Sequence, residues 1–356
     1  MNKVIRKYEF IRTLVAISIA LILGFIIILL LSNKPIESIY NFIIGPITKT
    51  RYIGNVITAS IPLIFSGLAV SLLFESRQFN MGAEGVFYIS GLVSAIIGIK
   101  FSLPFIIHPI IAVTFGAIIG ALIIGLIGFF KAKYNSSELV LSLMFNSILY
   151  GIGLYFLNHY FREKNTVVLK SVAIKESALL TKLLPKMRIH SGIIVALITL
   201  IICHILMNKT KLGYEIKMTG SNSRFAEYSG ININKTMIIV SLISGAIAGL
   251  GGSVEILGMY DSFKWTSLPG LGFDGALIAM LARNKPVNVL FSALFLAYIR
   301  IGADLMSRLT DIPAEMIGIM QGLIILMISG QKFLQSYKKK LIIKEVTKDE
   351  YSGTNN

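Results

Sequence analysis

Four residues carry most of the polar chemistry in a strongly apolar chain: Asn80, Glu84, Asn146 and Asp274. Asn80 and Glu84 lie in FNMGAEG (79–85), between two long apolar runs. Asn146 follows SSELVLSLMF, and Asp274 lies in LPGLGFDG. Amides and carboxylates in such surroundings can do two things. They can cap helix starts, where exposed backbone N–H groups and the helix dipole favour an acceptor or an anion. They can also line a hydrated route through a bilayer. A charged group within the hydrocarbon costs roughly 2.5–3.5 kcal/mol on insertion scales, so a submerged Glu84 or Asp274 must face protein or water. Both readings remain open at this point.

Bond-making chemistry is absent from the sequence. There is no G-x-x-x-x-G-K-[ST], so ATP cannot be held by a phosphate-cradling loop. H-E-x-x-H and G-x-S-x-G are also missing. The histidines, His108, His159, His190 and His204, have no metal-ligand spacing. His204, inside an expected span, reads as a hydrogen-bonded interior residue. The single cysteine, Cys203, excludes an internal disulfide framework. An enzyme site is not expected, nor a metal or cofactor bound by this chain.

The elements that must position the four residues are membrane helices. The chain has 356 residues, 54% of them hydrophobic and only 15% charged, with mean hydropathy +0.75. That composition makes it an all-α integral membrane protein. About ten spans are expected, near 14–32, 52–73, 85–100, 104–130, 137–158, 191–207, 236–259, 271–283, 286–303 and 313–330. The third and eighth are short, and Pro62 interrupts the second. The run 14–31 is too long for a signal core and lacks a small-residue cleavage site, so it reads as a retained span. The net charge of +16 does not indicate nucleic acid, because Lys and Arg sit between the apolar runs, where they set orientation. With the N-terminus inside, inner segments hold 20 basic residues and outer ones 13, seven of these in the single long loop 159–190. Both termini are therefore expected to be cytoplasmic. Residues 1–13 form the leading segment, 14–330 the membrane domain and 331–356 a basic, disordered tail. GAIIG (116–120) and GAIAG (245–249) are small-xxx-small patterns that permit close helix approach.

The chain also echoes itself. FESRQFNMGAEGVF follows span 2, and YDSFKWTSLPGLGFDG follows span 7; each places glycines and one acid, Glu84 or Asp274, before a short span. Fainter is the match of Glu138 and Asn146 at span 5 with Glu315 and Gln321 at span 10. Spans 2–5 and 7–10 then read as an inverted repeat, the pattern that marks transport routes in membrane proteins. Trp265 reads as an interfacial belt residue.

Between spans 6 and 7 lies a polar inner loop, 207–236. Its SNSRFAEYSGI suits a short helix capped by Ser221 or Ser223 and ended by Gly230, with Phe225 and Tyr228 on one side. It could rest on lipid or dock a cytoplasmic partner.

Taken together, FNMGAEG, SSELVLSLMFNSI (136–148), GSNSRFAEYSGIN (220–232) and GFDGALIAMLARNKP (272–286) resemble segments of ABC-importer permease subunits. The superfamily is that of branched-chain amino acid, ribose and nucleoside permeases, and the segments look like its simple-sugar/nucleoside branch. The resemblance covers about residues 52–330. It implies a pore of two permease subunits, identical or homologous, in the plasma (inner) membrane. It also implies a cytoplasmic ATPase that binds ATP and magnesium, and an external substrate-binding protein. Nucleosides, or related sugars behind them, would be the cargo. By position, Gly220, Asn222, Arg224, Ala226 and Gly230 would form the segment that couples to the ATPase. Phe225 and Glu227 depart from the small alanines usual there. Asn80, Glu84, Asn146 and Asp274 would line the path. The rival reading is an ion-coupled secondary transporter with Glu84 as its titrating group.

Overall fold

The computed structural model describes residues 32–164 and 166–313, with short stretches at 18–19, 22–29, 318–319 and 322. Its helices are α1 (Pro35–Ile43), α2 (Gly45–Thr48), α3 (Thr50–Glu75), α4 (Ala83–Lys100), α5 (Ile107–Tyr134) and α6 (Glu138–Phe156). They continue with α7 (Gly192–Lys209), α8 (Lys211–Ser221), α9 (Ser223–Tyr228), α10 (Ile233–Met259), α11 (Leu271–Ala282) and α12 (Pro286–Leu309). A small antiparallel ribbon pairs β1 (Lys182–Leu184) with β2 (Ile189–His190).

Among the described residues, seven helices are long and apolar enough to cross a membrane: α3, α4, α5, α6 with its π-helical extension to Phe161, α7, α10 and α12. They coincide with the second to seventh and the ninth expected spans. The eighth is α11, whose 12 residues are too few to cross. The expected spans at 14–32 and 313–330 fall largely outside the described residues. Glu315, Gln321 and the segments 1–13 and 331–356 lie wholly outside them.

Residues 49–298 form one compact unit. At its centre α10 packs along α5 through the two small-xxx-small patterns, which face each other. A side chain at Gly120 would strike the carbonyl of Gly245, one at Gly245 that of Gly120, and one at Gly249 that of Gly116. Lipid tails are as apolar as leucine, so membrane helices associate through close backbone approach and hydrogen bonds rather than burial alone. Ser94 of α4 supplies such bonds, donating to the Ala112 carbonyl at 3.0 Å and sharing one with Ser253 of α10 at 2.6 Å. Against α3, α10 runs antiparallel. Ser241 bonds Gln78 beyond the end of α3 at 2.8 Å, Ser244 donates to the Ala69 carbonyl at 2.8 Å, and Gly251 abuts Phe65.

The segment 162–190 is a folded cap, where composition suggested a plain loop. Ser171 N–H donates to the Phe263 carbonyl, Ile174 N–H to Asp261 and Leu180 N–H to Leu257. The imidazole of His190 is buried, accepts from the Gly192 N–H at 3.2 Å and seats against Gly258. Burial lowers its pKa to about 4, which keeps the ring neutral. Half-buried Trp265 packs edge-on to Phe263 at 5.8 Å and Tyr260 at 6.3 Å, so protein covers part of the expected belt residue.

The other unit comprises residues up to 48 and from 299 onward. There Gly302 of α12 lies against the Phe42 carbonyl of α1. Asp311 accepts from the Ser32 hydroxyl and the Asn33 N–H, both at 2.7 Å. These bonds hold its carboxyl below the usual range.

Candidate functional site: two helix starts inside the bundle

The two echoing segments meet. Glu84, in the first turn of α4, is 0% exposed, and its carboxylate reaches the start of α11. Oε1 accepts from the Gly270 N–H at 2.5 Å, and Oε2 from the Gly272 and Phe273 N–H groups at 2.7 and 3.3 Å. These donors have no partner within their own helix, so an anion there satisfies them and complements the dipole. Gly270 has φ +77°, a left-handed conformation costly for a side-chain-bearing residue, and it turns the chain into α11. Gly272 lies so near the backbone of Ala83 and Glu84 that a Cβ would overlap it. Asp274 is buried within the same first turn.

This junction lies well inside the bundle. Ser66 of α3 donates to the Leu271 carbonyl at 2.5 Å, and Gly275 packs against the same serine. Ser66 is nine residues from the end of α3 at Glu75, or about 14 Å at the α-helical rise. From the junction α4 and α11 run toward opposite ends of α3. Gly98 of α4 meets Ile174 and Ala178 of the cap that also contacts Gly54 of α3 through Met187, while the turn after α11 lines a cavity together with Glu75.

A third element grips the loop before α4. Asn146 of α6 accepts from the Gly85 N–H at 2.9 Å and donates to the Met81 carbonyl at 3.0 Å. Ser142, one turn earlier, accepts from the Met81 N–H at 3.0 Å. Glu138, one turn earlier again, is buried beside the Phe79 backbone. Asn80 Oδ1 accepts from the Gly82 N–H at 2.8 Å, while its buried Nδ2 has no hydrogen-bond partner.

The 208–235 segment, far from the junction in sequence, holds two helices rather than a loop with one. Thr210 caps α8, accepting from the Gly213 N–H at 3.1 Å. Gly220, near the end of α8, sits against the Glu75 carbonyl at the end of α3 with no room for a side chain. The cap of α9 is Asn222, which accepts from the Phe225 N–H at 3.1 Å, and not Ser221 or Ser223. Ser221 is spent as the last residue of α8. Ala226 is the buried anchor of α9, and Gly230, at φ +80°, ends its turn. Arg224 is exposed, as are Phe225 at 54% and Tyr228 at 93%.

Comparison with known proteins assigns this architecture. Residues 52–329 match the family described as "Branched-chain amino acid transport system / permease component". The chain belongs to this permease family. It is 31% identical to a guanosine ABC transporter permease protein of Bacillus subtilis (strain 168), over 91% of this chain and 95% of that one. A nucleoside ABC transporter permease protein of Lactococcus lactis subsp. cremoris is 29% identical, with 92% of each chain covered. A glucose ABC transporter permease protein of Haloferax volcanii is 28% identical over 90% of this chain and 87% of that one. The chain is thus a multi-pass membrane permease subunit, a transport component and not an enzyme.

Three residues of the permease junction escape a reading of the sequence: Ser66, Ser142 and Gly270. Ser142 had a signal, since it stands midway between Glu138 and Asn146 at helical spacing. Gly270 had a weaker one as the glycine just before a helix start. Ser66 had none, because serines are common in membrane helices and only the fold brings it to Leu271.

Proposed function

We propose that this permease carries a nucleoside, or a related sugar, inward across the plasma (inner) membrane, powered by a separate cytoplasmic ATPase. The observation that carries the reading is near full-length similarity to guanosine, nucleoside and glucose ABC permeases. Both termini face the cytoplasm, and an external binding protein delivers the solute. A second permease subunit, the same or homologous, completes the pore. ATP and magnesium are bound by the ATPase alone.

The route passes the junction of α4 and α11. Asn80, Glu84, Asn146 and Asp274 form its wall at mid-depth. An inverted repeat is supported by exchange of partners: α11 packs on α3 as α4 packs on α10, and the two short helices start head to head. Gly220, Asn222, Arg224, Ala226 and Gly230 build the ATPase-coupling segment, with Phe225 and Tyr228 presented outward. Engagement of the Glu84 carboxylate by the Gly270, Gly272 and Phe273 N–H groups disfavours an ion-coupled transporter.

The test is reconstitution of this chain with its co-purifying subunits in vesicles loaded with ATP. Uptake of a radiolabelled purine nucleoside that needs both ATP and the binding protein is expected. Uptake driven by a proton or sodium gradient without ATP would overturn the reading.

A further inference from the structure

A cavity of about 340 Å³ opens where α3, α7 and α8 meet the turn between α11 and α12. Lys217, Arg283 and Lys285 line it, and Glu75 is the one carboxylate among the described lining residues. His204 and Asn208 complete its polar wall. Asn208 donates to His204 Nδ1 at 3.2 Å and accepts from Lys217 Nζ at 3.0 Å, so the ammonium is held in place with donors to spare. Arg283 and Asn284 have φ +53° and +57°, successive left-handed residues that bend the chain sharply around the cavity rim. The first turn of α12 also lines the space, with its helix dipole favouring negative charge.

We infer that this cavity binds a phosphate group, and that an anionic lipid headgroup supplies it. Two features of the cavity point to a phosphate. The ammonium groups of Lys217 on α8 and Lys285 on the α11–α12 turn both line the cavity, and a phosphate offers several oxygens that can accept from both at once. Eight of its eleven lining residues are also polar or charged. Its position points to a lipid. It lies at the ends of three apolar helices, after Glu75 of α3, beside the last turn of α7 and at the start of α12. Headgroup phosphates occupy that level of a bilayer, and basic pockets between membrane helices hold anionic headgroups. Bound there, a lipid would tie α8, and through it the α8–α9 segment, to the α11–α12 turn. The inference does not depend on the identity of the cargo.

The experiment uses the full chain purified in mild detergent. Phosphatidylglycerol and phosphatidylcholine are added separately, and retained lipid is counted by native mass spectrometry. In a parallel arm, inorganic phosphate replaces chloride at constant ionic strength and the melting temperature is followed. Phosphatidylglycerol retained over phosphatidylcholine is expected. Lys217→Gln or Lys285→Gln should each weaken retention roughly fivefold, while Lys211→Gln, an exposed lysine outside the cavity, should not. Stabilisation by inorganic phosphate that vanishes in Lys285→Gln, without lipid retention, would keep the phosphate site and make a free phosphate its source. Equal retention of the two lipids with no phosphate effect, or equal losses in all three variants, overturns the proposal. If Lys217→Gln fails to fold, exposed Lys285 carries the test alone.

Discussion

The junction at Glu84 and the short helix α9 are built on the same device with opposite results. Each has backbone N–H groups at a helix start satisfied by a side-chain oxygen. At α11 the acceptor comes from another helix, 186 to 189 residues away in sequence, and is buried completely. At α9 it comes from Asn222, three residues away, and the helix it starts stands exposed. A long-range cap ties two helices into one unit, so neither can move without breaking charge-assisted bonds. A local cap fixes only the shape of its own turn and leaves the outer face available to a partner. The permease thus sets a part locked by long-range bonds beside a part whose outer face stands exposed.

The sharpest way to break this contrast is at Gly272. A valine there would drive its side chain into the backbone of Ala83 and Glu84. Backbone cannot rotate aside as a side chain does, so a loss of about 3 kcal/mol or more is expected. Purified Gly272→Val should aggregate or melt far below wild type in a thermal-stability assay. A Gly272→Val protein as stable as wild type would mean that the helix starts are not in contact.

Glu84→Gln tests the charge rather than the space. One oxygen of the new amide can still accept, but its NH₂ then faces an N–H that has lost its acceptor. Hydrogen bonds to charged groups contribute about 1.5–3 kcal/mol each, so a net loss of about 2 kcal/mol is expected. Melting should fall without change in helix content by circular dichroism. Unchanged stability combined with the loss of a proton or sodium dependence of uptake would instead return Glu84 to an ion-coupling role.

At the other region the effect should move from stability to association. Phe225→Ala and Tyr228→Ala remove exposed rings, so melting should stay within about 0.5 kcal/mol of wild type. If α9 is the docking surface, loss of a central aromatic should weaken ATPase association roughly 30-fold. Co-purification and ATP-driven uptake would both report it. Full association of the double variant would place the coupling surface elsewhere.

How much of this was legible follows from the range of each interaction. Helix positions were readable because apolar runs of membrane length are a local property, and seven such runs stand where expected. The pairing of GAIIG with GAIAG was half legible: the patterns announced close contacts but not that they contact each other. The polar residues at the junction were visible by type, but their partners were not. Glu84 and Gly270 join across a separation that no periodicity spans, and Ser142 matters only because α6 passes the Asn80 loop. Short amphipathic pieces were misread for a different reason. In α8, Thr210, Gly213 and Gly220 look like loop residues, yet one caps the helix and two give it room to pack. The ends of the chain, with Glu315 and Gln321, contributed nothing to the comparison.

The smallest effect belongs to the local cap. Asn222→Ala removes the acceptor for the Phe225 N–H and should cost about 1 kcal/mol. Because α9 is only six residues long, that loss should fray it locally and leave the bundle intact. Hydrogen exchange at residues 225–229 should accelerate roughly fivefold while the amides of α5 and α10 keep their protection. Asn222→Ser or Asn222→Asp, which restore an acceptor, should rescue most of it. If exchange instead accelerated throughout α3 and α10, the α9 cap would be part of the rigid framework, and the division drawn between the two regions would fail.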